Sequence, residues 1–448
     1  MDDAPDQRTP AARSGGMVAW AIIGLCVAVA LWSAFIHPER HGPQPGTSGG
    51  LSPLELQVRA VVGADQVSSA LGATLLKQFD AESTTSGERL HLVVVAGEVV
   101  GPADALTRLA ALVDDAALVA DRELLGRLYR DGAGSLREEE RTWLRARLGW
   151  TAELALVHGL PPSDTGRIAV LAQASRTTRA LAIANGMIAA LVLGGIVAAI
   201  VLIVRWRQGR LRAAYPTPLL VAVRHPTACI EGFAVYLLTY TAFGMLVHSL
   251  VAYALIPDFG MSAVWLYLPL VPLMLIATVR RGMTWKDLRQ AIGWHTGRGV
   301  LREIAAGVLG WLAALPLLVA ALFVAMLLNR YYPASHPIEQ MLAGADAATL
   351  FALLAVASVF APLVEETMFR GLLFHHLRTR WAWLPAALLT SGIFAALHPQ
   401  GVAALPTLTT IALVMAALRA WRGSLIAPVA AHALNNGVAV MVVVLLQG

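Results

Sequence analysis

Glu365, Glu366 and Arg370 lie in VFAPLVEETMFRGLLF, near the end of one of the most apolar stretches of the chain. A charge at the centre of a membrane-spanning helix costs roughly 2.5 to 3.5 kcal/mol to insert, so such a cluster calls for a functional reason. Two later apolar segments add His398, in FAALHP, and His432 with Asn436, in AHALNN. Carboxylate, imidazole and carboxamide groups are thus supplied by three separate hydrophobic helices. The set suits attack of an activated water on a carbonyl. Glu365 would serve as general base, His398 would position the water, and His432 with Asn436 would stabilise the oxyanion.

The spacings support these roles. Residues four apart share a helix face, so Glu366 pairs with Arg370, while Glu365 points about 100° away and stays available to take a proton. Phe394 lies one turn before His398 and is placed to pack beneath its ring. His432 and Asn436 are again four apart and aim at one spot. Asn435, on a neighbouring face, reads as polar glue between helices. His375 and His376, in the basic flank LLFHHLRTR, read as interfacial residues.

Helices must bring these groups together, and the composition says where. The chain has 448 residues, 57% hydrophobic and 14% charged, with a mean hydropathy of +0.63, which excludes an ordinary soluble domain. The expected fold is all-α, a polytopic transmembrane bundle of about nine spans: 17–36, 181–204, 227–255, 261–279, 304–328, 347–369, 385–398, 402–420 and 425–446. Cys26 and Cys229 both fall within spans, so neither a disulfide framework nor a thiolate metal site is expected. The net charge of +5 comes from Arg and Lys at the ends of apolar runs, such as Arg205, Arg207, Arg210 and Arg212 or Arg280 and Arg281. Positive-inside topology explains them better than nucleic acid does, and places the N-terminus in the cytoplasm. On a rise of 1.5 Å per residue, Glu366 lies roughly 18 Å from Arg378, His432 roughly 14 Å from Gly423 and His398 roughly 20 Å from Pro385. The polar groups therefore share one depth, near the middle of a core about 30 Å thick.

The expected organisation is a cytoplasmic tail at 1–16, a membrane anchor at 17–36, an extracytoplasmic domain at 37–180, membrane helices at 181–280, a cytoplasmic loop at 281–303 and a catalytic membrane core at 304–448. The first run reads as an uncleaved anchor, because its apolar core exceeds that of a signal peptide and no small-x-small site precedes His37. The polar domain opens on the linker HPERHGPQPGTSGG. Leu106, Leu109, Leu112 and Val113, then Leu144 and Leu148, recur at helical spacing, which predicts a mainly helical domain with HLVVVAG as one strand. It holds no catalytic motif.

EETMFR fits an EExxxR motif, Phe394 to His398 fits FxxxH, and His432 to Asn436 fits HxxxN. In order and separation these resemble the CPBP intramembrane proteases, which include type II CAAX prenyl endopeptidases and bacterial Abi proteins. The resemblance covers about 347–447, and the segment TWKDLRQAIGWHTGRGVLRE is similar to the polar loop preceding the family's core. It implies catalytic Glu365, His398, His432 and Asn436, with Glu366, Arg370 and Phe394 supporting. It also raises a divalent metal such as zinc, for which Glu365, His398 and His432 would be the ligands. The chain has no HExxH pair, and a base with an oxyanion hole needs no metal, so the residues themselves favour a metal-free site.

The expected function is an intramembrane endopeptidase acting on membrane-associated or CAAX-like proteins or peptides, in contact with membrane lipids and not nucleic acid, in a bacterial inner membrane. The extra anchor and domain weigh against direct CAAX processing. The alternatives are a non-catalytic scaffold or bacteriocin-immunity protein of the same fold, and a proton-coupled transporter using Glu365 and Glu366, for which no inverted repeat is evident.

Overall fold

The computed structural model describes residues 10–36, 53–112, 115–211, 227–253, 255–256, 270–332 and 347–447. The Pro/Gly linker, Val113, Arg212 and the start of the fourth expected span lie outside these residues. Among the described residues every regular element is helical. The chain divides into two compact units, one formed by Met1–Thr47 with Leu191–Leu446, the other chiefly by Ser48–Ala190.

In chain order, α1 is Pro10–Ile36. The second unit holds α2 (Pro53–Asp65), α3 (Ser69–Glu82), α4 (Ser86–Val99), α5 (Pro102–Ala111), α6 (Val119–Asp131), α7 (Glu138–Leu148) and α8 (Trp150–Leu156). Leu109, Leu112, Leu144 and Leu148 are buried, as their helical spacing requires. HLVVVAG, expected as a strand, lies instead in α4. A capping box starts that helix, with Thr85 and Glu88 satisfying each other's backbone N–H groups. Leu92, Val93, Val94, Val95 and Ala96 are all buried. A run buried on every face has no exposed side to alternate with, so its β-branched content misleads. The expected boundary at residue 180 falls inside α9, which runs unbroken over Thr165–Arg207.

Next come α10 (Ala228–Ala252), α11 (Leu270–Arg280), α12 (Trp285–Ile292) and α13 (Val300–Asn329). They are followed by α14 (residues 347–378), α15 (Trp383–Ala396), α16 (Leu405–Arg422) and α17 (Ile426–Gln447). Six helices among the described residues are long and apolar enough to cross a membrane: α1, α9, α10, α13, α14 and α16 with the turn before it. α15 and the Ile426–Val442 part of α17 are apolar but shorter. The chain is an integral membrane protein.

α1 belongs to the core of its unit. Ala19, Ile23 and Cys26 are buried in one cluster with Phe233 of α10, Phe369 of α14 and Ala386 of α15. Small residues bring other helices close: a Cβ on Gly307 of α13 would lie 2.4 Å from the Ala427 carbonyl oxygen of α17. That approach sets α17, with His432, against the bundle.

Candidate active site

The site is built around irregularities in α14. Its α-helical turns are interrupted by π-helical segments at Val356–Phe360 and Thr367–Leu373, so Glu365 and Glu366 end a short α segment between two wide turns. Such π segments recur at functional sites because they re-aim side chains. Pro362 accounts for the first, since an interior proline lacks an N–H and crowds the preceding turn. Ala361 donates its N–H to Val356 O, in the π register. The next carbonyl, that of Ala357, would need the N–H that Pro362 does not have.

Asn436 fills that need. Its Nδ2 donates to Ala357 O at 2.9 Å, and its Oδ1 accepts from Asn435 Nδ2 at 3.4 Å. Asn435 Oδ1 in turn accepts from Trp311 Nε1 of α13 at 3.4 Å, the helix-joining role its position suggested.

Glu366 and Arg370 are both fully buried and form the expected pair, Nη1 to Oε1, at 2.9 Å. Arg370 Nη2 also donates to Ala412 O of α16 at 2.9 Å, and its guanidinium carbon lies 4.7 Å from the centre of the Phe394 ring. Burying two charges costs several kcal/mol each, which added hydrogen bonds of this kind help to offset.

Both imidazoles meet the other carboxylate. His398 Nδ1 donates to Phe394 O at 2.6 Å, and His432 Nδ1 donates to Glu366 Oε1 at 2.9 Å. Those partners are acceptors, so each ring carries its proton on Nδ1 and turns Nε2 inward. Each Nε2 lies 3.8 Å from the same atom, Glu365 Oε2. That oxygen is buried and makes no hydrogen bond to any of the described residues. Phe394 organises the group, its ring centre 4.2 Å from that of His398 and 6.1 Å from that of His432. The structure therefore brings Glu365, His398 and His432 to one point, with Glu366, Arg370 and Phe394 behind them. Asn436 lies one turn along α17, held by α14.

Residues 347–438, which contain all seven of these side chains, match the family described as type II CAAX prenyl endopeptidase Rce1-like. The match supports assigning this region to the CPBP/CAAX protease family. An uncharacterized 24.3 kDa protein of Escherichia coli is 37% identical over 78 residues, 16% of this chain and 36% of that protein. The match thus spans about a third of the relative's length. No solved structure matches the chain.

Two imidazoles and a carboxylate are donors that zinc accepts. In the Rce1-like domain, as in the rest of the described residues, no group of three or more His, Cys, Asp or Glu is arranged to hold a metal ion. The arrangement does not fit a metal site, and no step below is routed through one.

Several residues that secure the Rce1-like domain escaped the sequence reading. Glu303 of α13 is fully buried and bound by Arg422 of α16 through two contacts, at 2.7 and 2.8 Å. Arg419, also buried, donates to Ala291 O at 2.8 Å and to Gly423 O. Together they fasten the 293–299 loop, whose Trp294 Nε1 donates to Thr367 Oγ1 of α14 at 3.1 Å. The available signal is an arginine pair three apart in the apolar stretch AALRAWRG, a pattern that positive-inside topology also produces. His375 and His376, expected at the interface, are buried, and the His376 ring centre lies 6.2 Å from that of Trp20 of α1.

Proposed function

We propose that this protein is an intramembrane endopeptidase that hydrolyses peptide bonds in membrane-associated or CAAX-like substrates with a water activated by Glu365. The observation that carries the reading is the pair of 3.8 Å separations from Glu365 Oε2 to the Nε2 atoms of His398 and His432. These are too long for direct hydrogen bonds and suit groups joined through one water. In that position a water gives one hydrogen to the Glu365 carboxylate and the other to the His398 lone pair, which leaves an oxygen lone pair for the substrate carbonyl.

As the oxygen attacks, Glu365 takes its proton and later passes it to the leaving amine, so hydrolysis balances without an outside reagent. Asn436 has a second N–H to offer the oxyanion, and its bond to Ala357 O fixes the amide plane. His432 Nε2 begins as an acceptor; Glu365 relays that same proton to it, so that its N–H joins the oxyanion hole, and takes the proton back before delivering it to the leaving amine. Glu366 then faces the resulting imidazolium, as the orienting carboxylate does in serine-protease triads.

The wider setting follows the charge pattern: an N-terminus in the cytoplasm of a bacterial inner membrane, with residues 37–180 outside. Glu365→Gln keeps the shape of the side chain and removes the base. Membranes carrying this variant are expected to insert the protein normally and to lack the peptide products that wild-type membranes release. Equal product formation by both would refute the assignment of the base.

A further inference from the structure

Beside the carboxylate-bearing turn of α14 lies a groove of about 770 Å³ that the proposed chemistry does not use. Its walls are Ile304 and Val308 of α13, Leu363 of α14, and Val429 and Leu434 of α17, and Arg289 of α12 stands at its rim. The volume falls within the range of about 300 to 1,000 Å³ typical of small-molecule sites. From Leu425 to Leu434 the wall follows nine residues of helix, roughly 14 Å, close to half of the ~30 Å hydrocarbon core. One leaflet has that depth.

The stretch that supplies Arg289 is basic. Lys286, Arg289, Arg298 and Arg302 are exposed, and among the described residues no ion pair engages their side chains. Of the two acids in the same stretch, Asp287 accepts from the Thr284 hydroxyl at 2.7 Å, and Glu303 is buried against Arg422. Trp285, half exposed, packs edge-on to Trp294, with ring centres 5.9 Å apart, as befits an aromatic anchor at a membrane interface.

We propose that this groove binds an anionic phospholipid of the surrounding leaflet, with one acyl chain along α13 and α17 and the phosphate-bearing headgroup on Arg289. The apolar wall accounts for the chain, its length for a single leaflet, and the unpaired cations for the charge. Basic pockets between spanning helices bind anionic headgroups for these reasons. The site stands independently of the proteolytic reading.

The test uses the purified full chain in nanodiscs of phosphatidylcholine, doped with either phosphatidylglycerol or phosphatidylcholine brominated on one acyl chain. Trp294 lines the groove, and its emission is isolated by subtracting that of Trp294→Phe. Brominated phosphatidylglycerol should quench Trp294 at about fivefold lower mole fraction than brominated phosphatidylcholine, the preference expected from one arginine contact. Arg289→Gln should equalise the two lipids, and Val429→Phe or Ile304→Phe, which fill the groove without adding a fluorophore, should abolish quenching by both. Glycerol phosphate, which has the headgroup charge without a chain, should not relieve quenching. Equal quenching by the two lipids in the wild type would overturn the proposal, leaving ordinary boundary lipid. So would a preference that survives Arg289→Gln, or displacement of the lipid by an apolar peptide, which would make the groove a peptide site.

Discussion

Glu366 and His432, 66 residues apart, meet at 2.9 Å through one carboxylate oxygen that Arg370 also holds at 2.9 Å. A sequence motif pairs Glu366 with Arg370 inside one helix, but the fold gives that carboxylate a second duty on α17. The adjacent glutamates thus divide their work. Glu365 faces the reacting water in the proposed mechanism, and Glu366 sets the ring that stands opposite.

Substitutions at the buried pair should separate fold from function. Removing one member of a buried ion pair costs about 3 to 5 kcal/mol because the other charge is stranded. Arg370→Met and Glu366→Leu should each lower the thermal midpoint in detergent. The double variant Glu366→Leu/Arg370→Met should recover part of that loss while staying inactive, since His432 Nδ1 then lacks its acceptor. Cleavage by the double variant at the wild-type rate would show that Glu366 does nothing for His432.

Phe394 touches both imidazoles and the guanidinium, so its ring should matter beyond its volume. Phe394→Ala removes a buried aromatic at a cost of about 3 to 5 kcal/mol. Phe394→Leu should restore most of the stability and leave kcat well below wild type with KM little changed, because a branched aliphatic group cannot seat the His398 ring. Melting curves and steady-state kinetics on the two variants test this. Wild-type kcat in Phe394→Leu would reduce the ring to core filler.

Local relationships were legible in the sequence. Glu366 with Arg370, Phe394 with His398, and His432 with Asn436 each span one helical turn, and a period of 3.6 residues predicts their neighbourhood. Relationships set by register or by distant packing were not. The π segments of α14 came unannounced although Pro362 was in view, and the partners of Asn436 and His432 depend on how α14 and α17 cross. The α4 strand assignment failed because β-branched composition cannot reveal burial on every side. The buried Glu303 and Arg422 pair was missed for a related reason: an arginine beside a span has two physical explanations, and only packing chooses between them.

Pro362 offers a test in which stability and activity should move apart. Pro362→Ala supplies an N–H for Ser358 O and lets the Ala361 N–H turn to Ala357 O in the α register, where it competes with Asn436. Replacing a helix-interior proline is favourable by up to about 3 kcal/mol where the helix can regularise. The thermal midpoint should therefore hold or rise while kcat falls, with KM nearly constant, as the Asn436 amide is released. A crystal or cryo-electron microscopy structure of the variant should show the first π segment shortened. Retained activity in a regularised helix would remove Asn436 from the oxyanion role.

The unit formed chiefly by Ser48–Ala190 should weaken in acid through His91. Burial, with Arg147 nearby, pushes this imidazole down to about 4, and its Nδ1 lies 2.8 Å from Thr151 Oγ1. In the unfolded chain the same group takes a proton near pH 6.5. The unfolded state therefore binds more protons between these values, and stability is full above about 6.5 and drains away as pH falls toward 4. A shift of that size corresponds to about 3 kcal/mol. Glu98 acts in the same sense at lower pH: burial raises its pKa, but the opposing hydrogen bonds from His158 and Arg167 leave it below the ordinary carboxylate range. Asp65, raised by burial and by Glu98, works the other way and limits the total. Hydrogen exchange on the full chain, corrected for its intrinsic pH dependence, should show α4 and α8 opening more readily at pH 4.5 than at pH 7. His91→Gln should flatten much of that difference, because glutamine has no proton to gain. An equally steep dependence in the variant would shift the acid sensitivity to the carboxylates.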